Sequence, residues 1–159
     1  MTEVSINKQA RLSEHFTLAE LCKTSVKTED GTIPSRVYIE NLKRLCGWLE
    51  MLRDEWNRRY GEGDEPIIIN SGYRSEAVNK AVGGVKGSNH LTGCAADIRV
   101  AGLEQALRYA VILLDISDES GEAFDELLLE RGSKGNYWLH FAVRPPSGDN
   151  RRKVRMIQA

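Results

Sequence analysis

A chain of 159 residues with 41% hydrophobic and 28% charged side chains has the composition of one soluble globular domain, long enough to bury a core. Its formal charge of −1 gives no global field that favours nucleic acid or an anionic membrane surface, and no segment is long and apolar enough to suggest membrane insertion. The three cysteines, Cys22, Cys46 and Cys94, lack metal-ligand spacing and read as free buried thiols, which suits a reducing compartment of synthesis.

Residues 1–11 read as a flexible N-terminal arm without the apolar centre of a signal peptide, so synthesis in the cytoplasm is expected. Thr17 and Glu20 fit a capping box that opens a short helix through Lys23. Ser35 caps a long amphipathic helix whose apolar stripe runs through Tyr38, Leu42, Leu45, Leu49, Leu52 and Trp56, ending at Gly61 and Gly63. Pro66 to Asn70 is a short β-rich run, followed by a turn at Ser71-Gly72-Tyr73-Arg74. Ser75 caps a brief helix that stops at Gly83-Gly84, and Val85 to Gly93 is a polar loop.

Ala95 to Val100 reads as a strand, and Leu103, Ala106, Leu107, Ala110, Val111 and Leu114 mark the buried stripe of a second long helix. Phe124 to Glu130 and Tyr137 to Val143 form a hairpin around Gly132 and Gly135. The fold class is α+β: a single domain, 12–146, with a mainly antiparallel sheet and helices packed on one side. Residues 147–159, with Arg151-Arg152-Lys153-Val154-Arg155, read as a basic C-terminal tail, either solvated or docking to a polyanion.

His90, Asp97 and His140 are a candidate metal site, because two imidazoles and one carboxylate suit zinc and leave a fourth position open for water. His90 ends a loop, Asp97 lies inside the strand that follows, and His140 comes from a neighbouring strand. If the hairpin pairs Glu130 with Trp138, Leu128 stands opposite His140 and the even-numbered residues share a face. Glu130 is then diagonal to His140, roughly 7–8 Å away along the backbone, within reach of a water at the metal. A one-residue slip turns it away. Glu130 is the candidate general base and Arg74 the candidate for countering oxyanion charge or clamping a substrate carboxylate. Ser88 and Asn89 are candidate substrate contacts, with Trp138 and Tyr73 as pocket walls.

The segments Ser71-Gly72-Tyr73-Arg74-Ser75, Ser88-Asn89-His90-Leu91-Thr92-Gly93 with Ala95-Ala96-Asp97, and Trp138-Leu139-His140 resemble the zinc D-Ala-D-Ala carboxypeptidase family of murein peptidases. That family shares its fold with the hedgehog signalling domain, and Leu12 to Leu21 is similar to the opening of small phage and prophage members. The resemblance implies one zinc ion on His90, Asp97 and His140, with Arg74 in the substrate pocket. Several members carry an acidic residue three positions before the last histidine, where this chain has Tyr137. A hedgehog-like arrangement instead matches Glu130 after Phe124-Asp125. The expected function is a zinc peptidase acting as a monomer on peptidoglycan stem peptides, as carboxypeptidase or endopeptidase, and reaching the wall by release or export through other means. The competing expectations are a non-catalytic zinc-stabilised binding module and a structural or lysis component of a phage.

Overall fold

The computed structural model describes residues 7–24, 26 and 33–158; residues 1–6 of the expected arm lie outside that set. Residues 8–11 of that arm are tied down: Leu18 and Ala19 donate their backbone N–H groups to Ala10 and Lys8, and Arg11 bridges to Thr17. These contacts seat α1 (Leu18–Leu21), which opens on the Thr17–Glu20 capping box and is one turn long. Ser35 caps α2 (Arg36–Arg59) by accepting from the Tyr38 N–H, and Ser75 caps the short α3 (Glu76–Ala81) by accepting from the Val78 N–H. The stripe of α2 buries Leu42, Leu45, Leu49, Leu52 and Trp56, as the periodicity predicts.

One five-stranded sheet carries the rest, in the order β1-β2-β4-β3-β5. Its members are β1 (Ile69–Ser71), β2 (Ala95–Arg99), β3 (Glu126–Arg131), β4 (Tyr137–Ala142) and β5 (Lys153–Gln158). The first four pair antiparallel, whereas β5 runs parallel to β3. The tail expected at 147–159 therefore contains an edge strand, in register from Glu126↔Lys153 to Arg131↔Gln158. Its charged sequence masks a period-two pattern, and its inner edge completes the hydrogen bonding of β3.

Alternation divides the sheet into two chemically different faces. Ala96, Ile98, Leu127, Leu139 and Phe141 enter the core, where α2 and α4 (Leu103–Ser120) cover them. Trp48 of α2 meets the rings of Phe141 at 5.4 Å and Phe124 at 6.4 Å. The opposite face carries Asp97 and His140. On α4 the buried apolar residues are Ala106, Tyr109, Ile112, Leu113 and Ile116, while Leu103, Leu107 and Val111 are exposed. That corrects the predicted stripe. The segment is apolar around much of its circumference, so several stripes fit the spacing, and the sheet selects the one that carries Tyr109 and Ile112.

Gly93 joins the His90 turn to β2 at φ 74°, and a Cβ there would stand 2.6 Å from the Tyr38 carbonyl oxygen of α2. Gly93→Ala is expected to lower stability by more than about 1 kcal/mol. Gly63→Ala, where a Cβ meets nothing within 4 Å, should stay within about 0.5 kcal/mol. Urea denaturation of the two variants makes the comparison.

Candidate metal centre and cleft

His90 sits in a 3-10 turn, Asn89–Thr92, whose first N–H groups need acceptors. Ser88 Oγ accepts from the His90 N–H at 3.2 Å, and Asn41 Nδ2 of α2 donates to the Thr92 carbonyl at 2.9 Å. The imidazole is 2% exposed. Its Nδ1 lies 2.7 Å from the Gly72 carbonyl oxygen, which can only accept, so Nδ1 carries the proton. Its Nε2 lies 3.3 Å from Asp97 Oδ1, a contact that is a hydrogen bond when Nε2 also carries a proton.

Strand register supplies the other two groups. Asp97 of β2 stands directly opposite His140 of β4, and Asp97 Oδ1 is 3.1 Å from His140 Nδ1. One ligand atom from each of His90, Asp97 and His140 lies within 4.8 Å of the other two, and all three residues are buried. Two imidazole nitrogens and a carboxylate oxygen, gathered on a buried face, fit the zinc donor set and can hold one ion. Arg74 takes the other oxygen: Nη2 donates to Asp97 Oδ2 at 3.1 Å, while Nε donates to Ser71 Oγ at 3.0 Å. Burial pushes the Asp97 carboxyl upward, but hydrogen bonds from His140 and His90 outweigh it and hold the group well below the usual carboxylate range.

The hairpin has the predicted register, Glu130↔Trp138 and Leu128↔His140. Glu130 and Trp138 consequently line the same cleft as the metal cluster, an open volume of about 680 Å³ that Arg74 and Ser88 also border. Trp138 Nε1 donates to Glu130 Oε2. Burial, and then the Asp97 charge, raise the Glu130 carboxyl above its ordinary value.

Glu126 was missed in the sequence, although it has the same parity as Leu128 and Glu130. Its Oε1 is 3.1 Å from His140 Nε2 and accepts from Asn89 Nδ2 at 2.7 Å. His140 thus lies between two carboxylates. Burial would lower its pKa, but hydrogen bonds to Asp97 and Glu126 prevail and raise it to about 9 in the metal-free protein.

Other expected contacts have different surroundings. Tyr73 belongs to the hydrophobic core, its ring 6.0 Å from Tyr38, and is not among the residues that line the cleft. The turn carrying it is pinned by its N–H to the Leu21 carbonyl, so its neighbour Arg74 faces the site in its place. Asn89 borders the cleft but is 7% exposed, and its amide is engaged by Asp125, Glu126 and Arg144. Arg144, Arg151 and Lys153 also line the cleft; the sequence reading gave Arg151 and Lys153 only to a basic C-terminal tail, and did not single out Arg144.

Fold and cluster together give an α+β sheet with three potential metal-ligating groups gathered on its open face. The Peptidase M15 family model matches residues 14–115, and the chain belongs to that family. It is 32% identical over 84 residues to the zinc D-Ala-D-Ala carboxypeptidase of Streptomyces albus G, a match covering 53% of this chain and 31% of the relative. The chain thus spans about a third of that protein's length. The family match takes in Arg74, His90 and Asp97, whereas Glu126, Glu130 and His140 lie beyond it and join the site by geometry. Among the described residues, no helix is long and apolar enough to cross a membrane.

Asp125, fully buried at the start of β3, receives Arg151 Nε and Nη2 at 2.9 Å each and Asn89 Nδ2 at 2.7 Å. Burial raises its carboxyl, but the paired bonds from Arg151 win and bring it to about 2, from an ordinary 3.8. A depressed folded-state pKa contributes stability above the unfolded value, and that contribution disappears as pH falls through the folded one. Asp125→Asn should therefore cost about 2 kcal/mol at neutral pH and show a shallower stability loss between about pH 4 and 2. Urea titrations across that range read both effects.

Proposed function

We propose that the protein is a zinc-dependent peptidase that hydrolyses peptidoglycan stem peptides, removing a terminal D-alanine or cutting within the stem. The carrying observation is that a buried His90–Asp97–His140 cluster shares one cleft with Glu130, a carboxylate of raised pKa that is not one of the three clustered groups. The similarity to the Streptomyces albus G carboxypeptidase supports the substrate class. Site of action follows from substrate: the cell wall.

A zinc ion held by His90, Asp97 and His140 would supply Lewis acidity, polarising the scissile carbonyl and acidifying a water. Glu130 is the base: it takes the proton of the attacking water and returns it to the departing amine. Its raised pKa brings it closer to neutrality, which helps one group do both. Arg74 holds Asp97 Oδ2 while bordering the cleft, so it fixes the carboxylate ligand and offers positive charge to the substrate carboxylate or developing oxyanion. Ser88 holds the turn of His90, and Trp138 walls the cleft and aims Glu130. Glu126 accepts the His140 Nε2–H, fixing the tautomer that leaves Nδ1 free for the metal. A non-catalytic zinc module needs neither a base nor an open cleft, and the variants below separate the two readings.

Zinc-loaded protein incubated with stem peptides should release D-alanine or an internal fragment, seen by mass spectrometry, with loss on chelation and return on zinc addition. Glu130→Gln is expected to lower turnover by roughly 10²–10⁴-fold while still binding zinc. An inactive wild type that is folded and zinc-loaded would favour the binding module. Glu126→Ala should weaken zinc binding by about 10–100-fold, with partial recovery in Glu126→Gln, whose amide oxygen still accepts. Competition against a chromophoric chelator measures it.

A further inference from the structure

Strand β5 makes one wall of the cleft. Lys153 is in register with Glu126, and Ile157 with Glu130, so both β5 residues stand on the metal-bearing face and line the cleft. Arg151, just before the strand, lines it as well. At this end Arg144, Arg151 and Lys153 meet two carboxylates, Asp125 and Glu126, and those carboxylates are already engaged. Arg151 is spent on Asp125, and Glu126 on His140 and Asn89. The Lys153 backbone N–H donates to the Asp125 carbonyl, but its ammonium has no carboxylate within ion-pair distance among the described residues. One positive charge is left over in a concave, partly buried place.

We propose that Lys153 is a specificity residue that binds a carboxylate borne by the peptide substrate, on a residue other than the one being cut. The inference rests on the peptidase reading. Sheet geometry sets the spacing: β5 lies two strands from β4, about 9–10 Å from the strand of His140, and an extended peptide rises about 3.3 Å per residue. The acidic residue accordingly sits two or three positions from the scissile bond. Ile157, farther along β5 and 38% exposed, gives the intervening part of the peptide an apolar surface.

The test uses two stem peptides that differ only in whether an internal carboxylate, two or three residues from the cut, is free or amidated. Wild-type zinc-loaded protein should prefer the free acid, with KM lower by roughly fivefold, the upper range for one solvent-accessible ion pair. The preference should shrink as salt is raised. In Lys153→Gln the KM ratio should fall to about one, and in Lys153→Arg it should recover. A wild type indifferent to amidation, or an unchanged ratio in Lys153→Gln, overturns the proposal. If the wild type cuts neither peptide, the peptidase reading fails on its own. Calorimetric binding of the two peptides then reads the same ratio without turnover: a ratio lost in Lys153→Gln sustains the carboxylate site, and equal affinities in the wild type refute it.

Discussion

Asp97 stands opposite His140 in the β2–β4 register, and the whole site is arranged around that pairing. A carboxylate that is 9% exposed carries a heavy desolvation penalty unless every oxygen is engaged. Here Oδ1 faces both histidines and Oδ2 takes Arg74. The demand reaches outward. Arg74 is held by its backbone N–H on the His90 carbonyl, His90 by the Gly72 carbonyl, and the whole turn by Asn41 of α2. Packing of α2 on the sheet is therefore also what positions the candidate metal ligands.

A proton and a metal ion compete for the same place. In the metal-free protein, His140 bridges Asp97 and Glu126, and the two acceptors favour its charged form. A metal ion held by the cluster would take the place of that charge, and Glu126 would still accept from His140 Nε2–H. The carboxylates are thus compensated in both states, so the cluster can be assembled before the ion arrives. Glu126 is the group that makes this possible, because Asp97 alone would leave Nε2 without an acceptor when the metal binds.

Legibility in the sequence followed the range of the interactions. Caps at Thr17, Ser35 and Ser75, and the stripe of α2, are set by neighbours three or four residues apart and were readable. The hairpin register was readable because Gly132 and Gly135 bracket its turn and alternation fixes parity, which placed Glu130 on the metal face. The same parity argument reaches Glu126, where the adjacent acidic pair Asp125-Glu126 obscured which side chain turns inward. Strand β5 was hidden for a different reason. Five of its six residues are exposed, its outer face carries Val154, Met156 and Gln158 without a covering layer, and its strand partner among the described residues is β3, about 27 residues back along the chain. No local pattern announces a parallel edge pairing of that kind.

That edge strand explains why Asp125 is buried beside the cleft instead of being left in solvent. Its backbone accepts from Lys153 and its side chain accepts from Arg151, so the start of β5 is fastened to the start of β3 at two levels. Asn89 links the same carboxylate to Glu126, one residue from the candidate metal ligand His90. The C-terminal segment is consequently joined to the centre through two hydrogen-bonded carboxylates, not merely appended to a finished domain. A displacement of Arg151 would leave the buried Asp125 short of its bidentate partner and Asn89 with a changed acceptor, and both changes bear on the orientation of His140. Strand β5 therefore acts on the site twice, by closing one side of the cleft and by bracing the carboxylates that hold Asn89 and His140.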